Sequence, residues 1–252
     1  MHILIITYFR PMWSVCKKEF RQFFSSLTGY IAIVVFLLLN GLFLFVFPDT
    51  NILDFGYATL EKFFELAPWI LLLLIPAITM RSFADEFKGG TFEILQTKPL
   101  SRWQLVSGKY FGSLGVVLIA LVPTIIYPIS ISQLAAAGGG IDLGGTLGSY
   151  IGLIFLAGVF VAIGIACSSL TSNAVVAFIA GAFLCFVLYS GFNAVSRIPA
   201  LQSGADYYVE MLGIDFHYRS VSRGVVDSRD LIYFLSITLF FLIVTNRNLL
   251  KR

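Results

Sequence analysis

The chain has 252 residues, of which 58% are hydrophobic and 12% are charged. Soluble domains are about 45–50% apolar and about 25% charged, so this composition excludes an ordinary soluble protein and predicts that much of the surface faces lipid. The formal net charge is +3, and the basic residues flank apolar stretches instead of forming one patch, which argues against a nucleic-acid partner. The three cysteines are too scattered to match the spacing of metal ligands.

The first predicted element is an amphipathic helix over residues 12–28, in which apolar residues recur at helical spacing and polar residues fill the other positions. We expect this helix to lie at the cytoplasmic interface of the membrane, either only as an orientation anchor or also in contact with a cytoplasmic partner. The residues before it lack the basic start and cleavage site of a signal peptide, and Met12 is an alternative initiator. The candidate functional residues of this helix are Trp13, Lys17, Lys18, Phe20, Arg21 and Phe24.

Six membrane-spanning helices are predicted, because a crossing needs roughly 20 mostly apolar residues and charge-free stretches of suitable length recur along the chain. Residues 143–196 are too many for one crossing at about 1.5 Å per residue, and the polar run 168–173 offers a turn, so this stretch counts as two helices. Residues 66–80 and 231–246 are short, and we expect them either to recruit interfacial residues such as Phe63 and Phe64 or to thin the bilayer locally. The charge-free stretches are 31–47, 66–80, 110–141, 143–196 and 231–246.

The distribution of Lys and Arg predicts the orientation of these spans. With six crossings, the two termini, the loop between the second and third spans and the turn at 168–173 share one side. That side carries twelve of the seventeen basic residues. Cytoplasmic flanks of membrane spans are enriched in Lys and Arg, so both termini are predicted to be cytoplasmic.

Polar side chains and prolines inside the spans are candidates for a substrate path. The third span contains Pro123 and Pro128, and proline bends a helix by removing a backbone hydrogen bond. A kinked helix with polar groups is one candidate wall of a path, and an ordinary packing kink is the alternative. The residues proposed to line a path are Asn40, Tyr127, Gln133 and Asn193.

The longest extramembrane piece on the outer face is predicted at residues 197–230. Aromatic and apolar residues alternate there with charged ones, and tyrosine rings favour the headgroup level of a bilayer, so we expect short helices at the outer interface. Their role is either a structural cap or a docking surface for an outer partner. A lone histidine in such a segment, His217, is expected to be a surface side chain.

The cytoplasmic segment 81–104 carries the strongest functional signal. Its apolar residues Phe83, Phe87, Ile94 and Leu95 share one face if helical turns flank the pair Gly89 and Gly90, while the charged residues project into the cytosol. An insert of this kind between two spans is suited to docking a soluble partner. The candidate docking residues are Arg81, Ala84, Asp85, Glu86, Lys88, Gly90, Thr91, Glu93, Leu95, Pro99, Ser101, Arg102 and Lys109.

The run from Ala84 to Leu95, followed by Pro99, Ser101, Arg102 and the pair 108–109, resembles the signature of ABC type-2 permeases. Residues 26–30, 64–69 and 75–83 further resemble the permeases of gliding-motility-associated ABC transporters. The resemblance implies a single permease domain over 1–252 in the bacterial inner membrane. It also implies a coupling helix near 85–95 seated on a separate ATPase subunit, a bracing role for the N-terminal helix, and a second permease subunit as partner.

No catalytic residue, metal site or cofactor is expected in this chain, and ATP and Mg would be bound by the partner ATPase. The glycine-rich stretch 138–145 is not followed by the lysine and hydroxyl residue of a phosphate loop, which agrees with that expectation. Two other classes remain as alternatives. A secondary transporter is disfavoured because the charge-free stretches contain no ionisable group for ion coupling, whereas a non-transporting membrane scaffold is harder to separate from a permease by sequence.

Overall fold

A computed structural model describes residues 2–52, 59–135, 140–199, 204–225 and 227–251, and every regular element in these ranges is helical. A 3-10 turn at Val122–Ile125 separates α6 from α7, and a π-helical turn at Val187–Gly191 separates α9 from α10. The α-helices are α1 (His2–Phe24), α2 (Leu27–Phe45), α3 (Glu61–Thr79), α4 (Arg81–Lys88), α5 (Thr91–Gln96), α6 (Arg102–Leu121), α7 (Ile126–Leu134), α8 (Leu143–Leu170), α9 (Ala174–Phe186), α10 (Phe192–Ser196), α11 (Ala205–Glu210), α12 (Ile214–Val221) and α13 (Ser228–Asn248).

Within those ranges, five helical segments are long and apolar enough to cross a membrane. A sixth candidate, α2, is long and apolar enough only when it is taken together with the end of α1, from which it is bent by 72°. The candidate spans therefore number five or six. The two short apolar stretches, 66–80 and 231–246, are extended by the residues before them, as predicted. The helix α3 begins at Glu61 and α13 begins at Ser228. The five segments are Glu61–Lys88, Arg102–Leu134, Leu143–Leu170, Ala174–Ser196 and Ser228–Asn248.

A sharp corner joins α1 to α2. The helix predicted over 12–28 instead ends at Phe24, and Leu27 already belongs to α2, where it is exposed. The Ser26 side chain begins α2 by accepting a hydrogen bond from the backbone N–H of Gly29 at 3.3 Å. A Cβ atom at position 29 would collide with the carbonyl oxygen of Phe23, so the corner requires a glycine there.

The centre of the bundle is α8, which packs against α3, α4, α6, α12 and α13. Small residues let these neighbours approach closely: a Cβ atom on Gly158 would lie 2.8 Å from the Tyr110 hydroxyl, and one on Gly164 would overlap the side chain of Thr79. Gly158, Ala162 and Ala166 form a row of small residues spaced four apart, and all three are buried inside the bundle of the chain itself.

The turn that follows α8 is the one predicted at 168–173, since α8 ends at Leu170 and α9 begins at Ala174. Just before the turn, Ser168 fills the backbone break between α3 and α4. Its hydroxyl accepts hydrogen bonds from the backbone N–H groups of Phe83 at 3.0 Å and Ala84 at 3.2 Å, and donates to the carbonyl oxygen of Met80 at 2.9 Å. Ser168 at the end of α8 therefore fixes the start of α4.

Three contacts bring the segments predicted to share a side to one end of the bundle. Besides the Ser168 contacts with the start of α4, Asn248 near the end of α13 donates to the Ser169 hydroxyl at 3.1 Å. Glu19 of α1 also lies 2.7 Å from Lys109 near the start of α6. The described parts of the N-terminal helix, the segment 81–104, the turn and the C-terminal helix thus meet at the same end.

The opposite end carries the two short helices α11 and α12, which confirm the prediction of helices between 197 and 230; residues 200–203 and 226 lie outside the described part of the chain. The expectation of an exposed His217 is wrong, because its side chain is buried. Its Nδ1 lies 2.7 Å from Asp230 Oδ1, its Nε2 lies 3.0 Å from the Met211 carbonyl oxygen, and its ring stacks on Tyr233 with centroids 3.8 Å apart. Burial is tolerated because both ring nitrogens have oxygen partners.

A second buried contact fixes α12 against α3. The hydroxyl of Tyr218 donates to the carbonyl oxygen of Phe64 at 2.8 Å. Burial raises the pKa of Tyr218 well above its ordinary value, and the nearby Tyr189 and Asp215 add to the effect. The Tyr218 phenol therefore stays protonated and keeps its role as donor.

Candidate coupling site

The predicted docking segment forms two short helices that meet at a glycine. α4 ends at Lys88, Gly90 adopts a left-handed conformation with φ of 65°, and α5 begins at Thr91. A side chain in this conformation costs roughly 1–2 kcal/mol, so glycine suits the position. Helical turns therefore flank the glycine pair, which is the condition for a shared apolar face.

An aromatic stack fixes this pair of helices to the bundle. Phe83 is fully buried and stacks on Phe87 with centroids 6.0 Å apart, and Phe87 meets the edge of Phe92 at 5.0 Å. The expectation that Ile94 shares this face is wrong, because Ile94 is 61% exposed and Phe92 takes the inward place. The left-handed Gly90 breaks the helical register, so a face extrapolated from α4 does not continue into α5.

The other predicted docking residues divide by burial. Leu95 is half-buried, and Ala84, Glu86 and Lys109 are buried. The expectation that the charged residues all project into solvent is therefore wrong for Glu86. The exposed members are Arg81, Asp85, Lys88, Gly90, Thr91, Glu93, Pro99, Ser101 and Arg102.

Four charged side chains form an ion cluster, Lys18, Glu19, Glu86 and Lys109, which joins three helices. Lys109 Nζ on α6 lies 2.7 Å from Glu19 Oε1 on α1 and 3.0 Å from Glu86 Oε1 on α4, and Lys18 Nζ lies 2.9 Å from the same Glu86 oxygen. The Lys109 side chain is only 1% exposed. Two cations and two anions balance, which offsets part of the cost of removing charge from water.

Further contacts account for the rest of the Lys109 ammonium. It donates to the carbonyl oxygen of Ser82 and lies 4.7 Å from the centroid of the Phe83 ring. One oxygen of Glu86, Oε2, is buried without a hydrogen-bond partner among the described residues. The lysine is thus held by α1 and α4 together, and a displacement of α4 would disturb its contacts directly.

Close packing of α1 on α6 places Glu19 beside Lys109. A Cβ atom on Gly108 would lie 2.7 Å from Val15 Cβ and 2.8 Å from the Met12 carbonyl oxygen, and one on Gly112 would lie 2.8 Å from Glu19 Cβ. Glycine at both positions permits this approach. Of the predicted interfacial residues, Phe20 and Phe24 are half-buried, and the exposed ones are Trp13, Lys17, Lys18 and Arg21.

The predicted path residues lie in different environments. Asn40 is fully buried and its Nδ2 donates to the Phe36 carbonyl oxygen at 2.8 Å, while its Oδ1 has no hydrogen-bond partner among the described residues. Tyr127 is half-buried against Phe45 and Phe63, with centroids 5.8 and 5.6 Å away. Tyr127 packs in an aromatic cluster, and Asn40 bonds to its own helix.

The remaining two predicted path residues, Gln133 and Asn193, also lie in different surroundings. Gln133 is exposed near the end of α7. Asn193 lines a cleft at the end of the bundle opposite the ion cluster, and its Nδ2 donates to Glu210 Oε1 at 3.2 Å. Of these four residues, Asn193 is the one that lines this cleft.

Sequence reasoning missed the ion cluster, although it named each of its members except Glu19. Glu19 and Lys109 are 90 positions apart, and no local pattern pairs residues at that distance. The available signal was the pair of glycines spaced four apart, 108 and 112, which is typical of close helix contact.

The fold and the site define a polytopic helical membrane protein with an exposed pair of short helices joined to the bundle by buried ion pairs. Residues 13–246 match the family described as ABC-2 family transporter protein. The chain belongs to this family, which makes it a membrane subunit of the ABC transporter class and implies an ABC ATPase in the assembly. Among characterised proteins, none matches the sequence at a significant level.

Proposed function

We propose that this chain is the permease subunit of an ATP-driven transporter, crossing the membrane six times with both termini in the cytoplasm. Its α4–α5 segment docks on a separate ATPase subunit, and ATP and Mg are bound there. The observation that carries the proposal is the ion cluster, because it connects the exposed docking segment to α1 through Glu19 and Lys18 and to α6 through Lys109.

The contacts suggest how motion of the ATPase reaches the spans. A push on α4 acts on α6 through the Glu86 to Lys109 ion pair and on α8 through the Ser168 hydrogen bonds. Packed helices of this kind move as rigid bodies between a few arrangements. The bundle would rock against a second permease subunit, and α1, lying at the interface with membrane lipid, would brace the docked segment.

A sequence resemblance indicates the kind of transporter to which the chain belongs. Residues 26–30, 64–69 and 75–83 resemble the permeases of gliding-motility-associated ABC transporters. We therefore place the chain in such a transporter of the bacterial inner membrane. Support for this setting is the sequence resemblance alone.

The proposal is tested by co-expressing the chain with the ATPase of the same transporter and measuring co-purification and ATP turnover. Ile94 is the exposed apolar side chain of α5, so Ile94→Asp is expected to weaken association about tenfold or more, as loss of an interface anchor does. Tyr208→Asp, at a 71% exposed position on α11, is the matched control and leaves association unchanged.

The outcomes separate the candidate functions. Stimulated ATP turnover that responds to a transported compound supports a permease. Association without any response of turnover to candidate substrates favours the scaffold alternative. Equal binding by wild type and Ile94→Asp would overturn the proposed docking surface.

A further inference from the structure

A cleft of about 950 Å³ opens at the end of the bundle opposite the ion cluster. Its walls are the first turns of α3 and α8, the π-helical turn with α10, and α12. Ligand sites commonly enclose about 300–1,000 Å³, so the cleft is large enough for a small molecule or a lipid headgroup. π-helical turns also occur frequently at functional sites, and this one contributes Tyr189 and Ser190 to the lining.

The charged side chains of the cleft divide by wall. Glu61 and Glu65 lie on α3, whereas Arg197 follows α10 and Arg223 follows α12. Glu65 pairs with Lys62 at 2.8 Å. Glu61, Arg197 and Arg223 form no ion pair with any other residue that the structure describes. A ligand with separated positive and negative groups is complementary to these two walls.

Other charges in the lining already have structural tasks. Asp142 caps α8 by accepting a hydrogen bond from the backbone N–H of Gly145 at 3.0 Å. Arg219 forms an ion pair with Asp215 on its own helix. These residues shape the cleft, and the charges left for a ligand are those of Glu61, Arg197 and Arg223.

The cleft also extends into the depth of the bundle. Trp69 lines it together with Glu61, and their separation of eight positions corresponds to about 12 Å along α3. Trp69 is 44% exposed and lies beside Phe186, which is 47% exposed, with ring centroids 6.3 Å apart. Both aromatic side chains belong to candidate spans, and tryptophan favours the headgroup boundary of a bilayer. The cleft thus runs from a charged mouth to a partly exposed pair of aromatic rings.

We propose that this cleft binds a zwitterionic aminophospholipid. The phosphate faces Arg197 and Arg223, because charge-assisted hydrogen bonds between arginine and phosphate are stronger than neutral ones. The ammonium group faces Glu61. The acyl chains leave past Trp69 into the bilayer. The proposal goes beyond the permease function and does not depend on it, because binding is measured on the chain without an ATPase.

Native mass spectrometry of the full chain in detergent tests the proposal, using phosphatidylethanolamine and phosphatidylglycerol with identical acyl chains. Wild type is expected to bind phosphatidylethanolamine about tenfold more tightly, and Arg197→Gln with Arg223→Gln to lose at least about tenfold of that affinity. Glu61→Gln is expected to reduce the preference for phosphatidylethanolamine. Arg229→Gln, an exposed position at the start of α13 outside the lining, is the matched control.

Unchanged thermal unfolding of each variant shows that the fold is retained. Equal binding of the two lipids by wild type, or equal affinity of wild type and the double arginine variant, would overturn the proposal. A third arm uses soluble glycerophosphoethanolamine. If it binds as tightly as the intact lipid, the apolar path past Trp69 contributes nothing and the lipid assignment is wrong.

Discussion

At the residue scale, Lys109 is the side chain on which the end of the bundle that carries α4 and α5 depends. Its ammonium has three N–H donors, and the structure directs it at Glu19, at Glu86 and at the backbone carbonyl of Ser82. A compact, rotatable charge suits this three-sided site better than the planar fork of arginine. Without the lysine, two mostly buried carboxylates would face each other.

Lys109→Met is therefore expected to destabilise the folded chain by about 3–5 kcal/mol, the usual result of removing one partner from a buried ion pair. Thermal unfolding in detergent measures the effect. Lys98→Met, at an exposed lysine, is the control and leaves the transition in place. Adding Glu19→Gln and Glu86→Gln to Lys109→Met is expected to restore part of the loss, because the uncompensated charge is then gone. An unfolding transition of Lys109→Met that coincides with wild type would contradict the role of the cluster.

Lys109 also shows where sequence reasoning stops at this scale. The signature that contains it identified it as a docking residue, but its burial follows from the approach of α1 and α4, which local spacing does not encode. The expectation of an exposed His217 failed for the same reason, because Asp230 and the Met211 carbonyl contact its ring from other elements.

At the scale of elements, the docking of α1 on α6 determines the geometry of the site. The amphipathic pattern correctly predicts a helix with an apolar face. In the structure, the side chains that lie on glycines 108 and 112 of α6 are those of the buried Val15 and of Glu19, and neither belongs to the predicted apolar face. Trp13, counted with the apolar face, is 65% exposed instead.

Gly108→Ala tests this packing. The new methyl would lie 2.7 Å from Val15 Cβ and 2.8 Å from the Met12 carbonyl oxygen, so backbone must move. We expect a loss of about 1–3 kcal/mol, as overpacking gives, seen as earlier thermal unfolding. At Gly115 the nearest atom is a Phe20 ring carbon at 3.7 Å, an ordinary contact, so Gly115→Ala serves as the control and unfolds no earlier than wild type. Equal behaviour of the two variants would show that α1 is not packed as described.

The elements most accurately predicted are those with a strong local signal. The polar run at 168–173 marks the turn between α8 and α9, and Phe63 lies within an extended α3 as expected. The placement of Ile94 failed because the left-handed Gly90 resets the helix register, and a local pattern does not report that rotation. The sharp bend between α1 and α2 was not predicted either, since it is a property of the corner at Gly29.

At the scale of the whole molecule, α8 joins the end that carries the proposed docking segment to the end that carries the cleft. At one end its Ser168 holds the start of the docking segment, and at the other its Ser149 hydroxyl donates to the carbonyl oxygen of Ser222 at 2.7 Å, in the lining of the cleft. The helix between them is mostly buried. A rigid central helix with contacts at both ends is suited to carry a displacement across the bilayer.

Coupling to a cytoplasmic ATPase requires that the docking segment faces the cytoplasm, and cysteine labelling measures this directly. Glu93→Cys on α5 and Tyr208→Cys on α11 place single exposed thiols at opposite ends, in a Cys16→Ser background that leaves only the buried Cys167 and Cys185. In intact spheroplasts, a membrane-impermeant maleimide is expected to label Tyr208→Cys, and Glu93→Cys only after the membrane is opened. Labelling of Glu93→Cys from outside intact spheroplasts would contradict the cytoplasmic docking of an ATPase.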